Sequence, residues 1–123
     1  MPESKKDLVK QELGDLQLMD DVLACMVAKR GLEGIYPNTN KLADINIWKI
    51  LNETTDQFFQ IIDKFYVFGM ERLYFELGNY TIIIAPIDQT FSLLTVSPSL
   101  ANMGLLDIEI ENTKNNIKKI INL

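Results

Sequence analysis

Apolar side chains recur along this chain with two different periods, and the changes of period mark its elements. Leu8, Val9, Leu13 and Leu16 share one side at helical spacing, which predicts a short amphipathic helix over residues 4–17. Residues 22–29, VLACMVAK, are apolar on both alternations: Val22, Ala24, Met26 and Ala28 on one side, Leu23, Cys25 and Val27 on the other. Successive strand residues point to opposite faces, so this strand must be covered on both. Arg30-Gly31 turns it into a second run, LEGIYP, which stops at Pro37 before the polar stretch NTNK.

A long helix is predicted from about Asp44, which serves as cap or first-turn acid, to Tyr66. At about 100° per residue its polar positions fill roughly 140° of the circle and leave about 200° apolar, twice what packing on one sheet needs. Two neighbours are therefore expected. One edge of the arc carries Ile47, Ile50, Leu51, Thr54, Phe58, Ile61 and Phe65 and suits a sheet. The other carries Trp48, Thr55, Phe59, Ile62 and Tyr66 and suits a second helix, from a partner molecule.

After Gly69 the period switches to two: ERLYFEL, Gly78-Asn79, YTIIIAP, a turn at Asp88-Gln89, then TFSLLTVS. This predicts a three-strand antiparallel meander whose first turn is a two-residue hairpin loop. Ile82, Ile83, Ile84 and Ala85 are apolar on both faces, as in an interior strand. In the first run Leu73, Phe75 and Leu77 alternate with Arg72, Tyr74 and Glu76, the pattern of a half-covered edge. Two such edges meeting antiparallel about Tyr74 would set Arg72 of one chain opposite Glu76 of the other, twice by symmetry. The chain closes on ANMGLLDIEIENTKNNIKKI, a helix with Asn102 as its cap and Met103, Leu106, Ile110, Ile117 and Ile121 on one face. Gly104 in its first turn is read as a structural position, a place where the helix start comes close to the strand ends.

Composition narrows the function classes. The chain has 123 residues, 47% hydrophobic and 24% charged, with no linker or repeat, so one domain over residues 1–123 is expected. A net charge of -5 argues against nucleic acid as a ligand. No stretch approaches the roughly 20 apolar residues that span a bilayer, and MPESKKDLVKQELGDL lacks the apolar run of a signal peptide. The expected location is the cytoplasm, with no direct membrane insertion. Chemistry is poorly provided for. There is no histidine, and the one cysteine, Cys25, lies in an apolar strand as an inert core thiol. Asp20-Asp21 and Asp107, Glu109 and Glu111 have no metal-ligand spacing, and no P-loop pattern occurs. No cofactor, metal or catalytic residue is therefore assigned. Trp48, Phe59 and Tyr66 fit a dimer seam, plain core or the lining of a small-molecule cavity, and the width of the arc favours the seam.

The order helix, two strands, helix, three strands, helix, together with YTIIIAPID, TFSLLTVS and the Asn-Met-Gly-Leu-Leu opening of the last helix, resembles the roadblock/dynein light chain family. AKRGLEGIY is similar to that family's first hairpin, and the match spans nearly the whole chain. Asp107 departs from it, standing where relatives often carry a basic residue. The resemblance implies a profilin-like α+β fold: a five-stranded antiparallel sheet with the long helix on one face and the two terminal helices on the other. It also implies a homodimer, or a dimer with a paralogous roadblock protein, made by pairing the third strand and packing the long helix against its mate. The implied role is non-enzymatic regulation or scaffolding of a Ras-like small GTPase, with a small-molecule-sensing domain as the alternative. The dimer-interface residues are then Trp48, Thr55, Phe59, Ile62, Tyr66, Arg72, Tyr74 and Glu76.

Overall fold

A computed structural model describes residues 3–30, 32–37, 53 and 55–123. The apolar stripe of the first segment forms helix α1 (Glu3–Gln17), and strands β1 (Ala24–Lys29) and β2 (Leu32–Ile35) follow. Helix α2 (Thr55–Phe65) runs into a 3₁₀ turn (Tyr66–Phe68), which Gly69 ends with a left-handed φ of 78°. Strands β3 (Leu73–Leu77), β4 (Tyr80–Pro86) and β5 (Phe91–Pro98) then lead to helix α3 (Met103–Ile121). The expected Asp44 helix start lies outside the described residues.

The strands make one antiparallel sheet in the order β2-β1-β5-β4-β3. Interior strands β1 and β4 are apolar on both alternations, as coverage on both sides requires, whereas the central β5 also buries Ser92, Thr95 and Ser97. Val9, Leu13 and Leu16 of α1 and Leu106, Ile110 and Ile117 of α3 pack on Cys25, Val27, Ile83 and Leu93. On the opposite face Phe59 and Ile62 of α2 pack on Ala24, Met26, Ile82, Ile84, Leu94 and Val96. The chain is thus α+β, with α2 on one face of the sheet and the two terminal helices on the other.

Polar groups tie these layers together. At the end of α1 the buried Gln17 amide donates to the carbonyls of Val22 and Leu23, holding the turn into β1. The Arg30 guanidinium donates to both carboxylate oxygens of Asp63, at 2.6 and 3.0 Å, and to the Gln89 carbonyl, while lying 4.7 Å from the Phe59 ring centre. It therefore pins α2 to the end of β1 and to the β4–β5 turn. Gly78 has φ 62° and Asn79 does not share that sign, the pattern of a type II′ hairpin turn.

Asn102 caps α3 as its sequence position suggests, accepting from the Leu105 amide at 3.2 Å. The reading of Gly104 needs correction. A Cβ there would meet only the Asn102 Oδ1, at 3.6 Å, which is ordinary contact, so nothing crowds the helix start. The crowded glycine is Gly34 in β2, where a Cβ would lie 2.1 Å from the buried Met26 methyl and 3.2 Å from the Val27 carbonyl oxygen. Two substitutions separate these cases in urea denaturation. Gly104→Ala raises stability by about 0.5 kcal/mol, through helix propensity and a less entropic unfolded chain. Gly34→Ala lowers it by about 1–2 kcal/mol, because the buried Met26 methyl must be displaced and the Val27 carbonyl oxygen must give as well. Equal effects of the two would contradict this assignment.

Candidate functional site

Helix α2 has the two-sided apolar arc that its sequence predicts, but the sides are exchanged. Phe59 and Ile62, assigned to a partner helix, are fully buried against the chain's own sheet. Phe58 is half-buried, with its ring 5.4 Å from that of Phe75, and Phe65, assigned to the sheet, is 53% exposed. Helical geometry explains the exchange. With Phe59 and Ile62 packed on the sheet, Asp63 lies on the flank toward β1, where Arg30 binds it, and Ile61 and Phe65 lie on the flank toward β3. An acidic residue at position 59 therefore tests folding and not association.

Strand β3 lies at the end of the sheet and, among the described residues, has a neighbour on one side only. The hairpin closes on the Leu77–Tyr80 pair, so Leu73, Phe75 and Leu77 bond inward to β4 while Tyr74 and Glu76 turn their amides and carbonyls outward. Beside this open edge, Ile61, Phe65, Phe68, Met70 and Leu73 line a solvent-open groove of about 390 Å³. Phe68 and Val67 are each 82% exposed and Tyr66 is half-exposed. Phe65, Phe68 and Met70 are the residues that sequence reasoning missed. Their signal was the run FYVFGM, which stays apolar past the end of the helix.

The opposite face of the same edge is polar. Arg72 lies just before β3, and its Nη2 donates to Glu111 Oε2 at 2.9 Å and to the Asp107 carbonyl at 3.2 Å. Tyr74 Oη donates to Asp107 Oδ1 at 2.9 Å, and Lys114 lies 3.3 Å from Glu111. Partial burial, and then the bond to Asp107, push the Tyr74 hydroxyl above its ordinary pKa. Arg72 is thus engaged within its own chain, and its role is to staple β3 to α3. Glu76 is exposed at the edge. Thr55 is half-buried at the start of α2, and Trp48 lies outside the described residues.

The arrangement offers no reactive centre among the described residues. Cys25 is buried, donates to the Leu13 carbonyl and to Gln17 Oε1, and has its thiol pushed up to about 12 by burial. Among the described residues no group of histidine, cysteine or acidic side chains is placed to hold a metal ion, and no helix is long and apolar enough to cross a membrane.

No protein-family model and no curated protein sequence matches the chain. Solved structures do. The fold superposes on MglB of Myxococcus xanthus with a TM-score of 0.82 at 11% identity, over 99% of this chain and 93% of that one. An MglB with tetrameric arrangement gives 0.75 at 8% identity, over 98% and 92%. A Roadblock/LC7 domain from Streptomyces avermitilis gives 0.65 at 11% identity, over 95% and 98%. The chain is thus a three-layer α+β protein with an open third strand, and its fold is the roadblock fold. Identities this low establish architecture and leave function to be argued from surfaces.

Two outcomes follow from this geometry. Arg72→Ala lowers stability by about 1–3 kcal/mol, because it leaves Asp107 and Glu111 together without their shared cation. Differential scanning calorimetry reads this, and an unchanged melting temperature would remove the staple. Cys25 resists disulfide reagents in the native state at pH 8 and reacts on unfolding. Because the folded thiol is raised, its contribution to stability is complete below the unfolded value of 9.0 and is lost as pH rises toward about 12. Rapid native labelling at pH 8 would contradict this.

Proposed function

We propose that the chain is a non-enzymatic regulatory or scaffolding module that pairs through β3 and α2 with a second roadblock chain, its own copy or a paralogue, and serves a Ras-like small GTPase. One observation carries the pairing: an unpaired strand edge lies beside exposed Phe65 and Phe68 on the flank of α2. Outward-facing amides at Tyr74 and Glu76 supply the hydrogen bonds of an added strand, and the aromatic flank supplies apolar area. A two-fold axis at Tyr74 sets Glu76 opposite the partner's position 72, where the guanidinium is already held by Glu111. The charge pair is therefore a weak register device, and Ile61, Phe65 and Phe68 replace Phe59 and Ile62 as the source of affinity. The MglB with tetrameric arrangement is a neighbour in which self-association of this fold occurs.

The GTPase partner follows from the resemblance to the roadblock family and from the likeness to MglB. An effect on nucleotide hydrolysis could arise without a catalytic group from this chain, by positioning the GTPase's own groups. The alternative, a small-molecule sensor, would use the groove at Ile61, Phe65 and Leu73, but its mouth is open to solvent and its lining offers no convergent polar groups.

Sedimentation equilibrium tests the pairing. The unmodified chain is a dimer, and Phe65→Asp weakens it by about a hundredfold or more, since pairing would then bury a carboxylate. A monomeric parent, or a variant that dimerises unchanged, would reject the interface. For the partner, the Ras-like GTPases of the source organism are passed over immobilised protein loaded with GDP and then with a non-hydrolysable GTP analogue. Retention that depends on the nucleotide supports the reading, and retention of none rejects it.

A further inference from the structure

The end of the helical layer where α1 finishes and α3 begins has an unusual surface. Asp21 Oδ2 accepts from the Asn102 amide at 3.2 Å, and Met19, Ala101 and Met103 pack on one core cluster, so residues 18–21 and 99–103 form a single end. The two elements that meet there carry exposed apolar side chains. Leu18 follows α1, and Leu105 and Ile108 on α3 are 50% and 58% exposed. On the α3 circle Ile108 lies opposite the buried side formed by Leu106, Ile110 and Ile117 and Leu105 lies on its flank, so both are turned away from the centre of the core.

The charge around them is of one sign. Segments 11–28 and 99–113 contain no lysine or arginine, and Asp15, Asp20, Asp21 and Glu109 have no cation within ion-pair distance among the described residues. Among the described residues, the cations paired with the acids of α3 are Arg72 and Lys114, and they are engaged by Asp107 and Glu111. An apolar face with an acidic rim repels anionic lipid and nucleic acid, and a second copy set end to end would bring like charges together.

We infer that this end docks a cationic amphipathic helical segment of another polypeptide, whose apolar ridge lies on Leu18, Leu105 and Ile108 and whose lysines or arginines meet Asp15, Asp20 and Glu109. Apolar contact supplies the affinity, and the acids supply selection and attraction at a distance. The surface is separate from β3 and α2, so its failure would leave the pairing proposal standing.

The test uses the full chain and a fluorescein-labelled leucine–lysine peptide with leucines at helical spacing, read by anisotropy. A serine–lysine peptide of equal charge is the control. The leucine–lysine peptide binds, and its affinity falls by about tenfold or more with Leu105→Ser plus Ile108→Ser, and again with Asp15→Asn plus Asp20→Asn. The control peptide binds at least about tenfold more weakly, and Asp7→Asn, at the far end of α1, changes nothing. Circular dichroism confirms that each variant folds, and two pairs on different elements keep the test meaningful if one does not. Equal binding of both peptides, or indifference to either pair, would overturn the inference. So would a change of oligomeric state on Leu105→Ser plus Ile108→Ser, because a second copy would then be the occupant.

Discussion

The structure turns on how far one helix can be hidden by one sheet. Residues along α2 are apolar over a wider arc than β1, β5 and β4 can cover, and the sheet takes the centre of that arc, Phe59 and Ile62. What remains is a flank of Ile61, Phe65 and Phe68 standing beside β3, a strand with one neighbour. An aromatic flank and an unpaired strand edge are each costly to leave in water. Their adjacency gives both the same remedy, one added chain.

Much of this was legible in the sequence, for a physical reason. Period-two alternation located β3 as the edge, because only a half-covered strand alternates, and double-sided apolar runs located β1 and β4 as interior. The Asn102 cap was readable because capping is local. The orientation of α2 was not readable, since apolar periodicity gives the width of an arc but not its rotation about the helix axis. Packing of Phe59 and Ile62 on strand residues distant in sequence sets that rotation, and the Arg30–Asp63 pair is compatible with it. Gly104 was misjudged and the crowding at Gly34 passed over for the same reason: that crowding comes from Met26 on the neighbouring strand, and no local pattern reveals it.

The two faces of β3 divide their tasks. The α2 side is apolar and open, whereas the α3 side is closed by Arg72, Tyr74, Asp107 and Glu111 within one chain. Arg72 thus stiffens the edge against fraying and presents Tyr74 and Glu76 in extended form, which lowers the ordering cost of adding a strand. The acids of α3 serve this staple near β3, while toward α1 they stand without cations. One helix therefore contributes to two separate surfaces.

Amide hydrogen exchange at Tyr74 and Glu76 tests the central claim most directly, because the free-edge geometry makes these two amides outward donors whose only protection is a second strand. Strong protection at high protein concentration that disappears on dilution, while the inward amides of Leu73 and Phe75 remain protected throughout, is the predicted result. Rapid exchange at Tyr74 and Glu76 at every concentration would contradict the account.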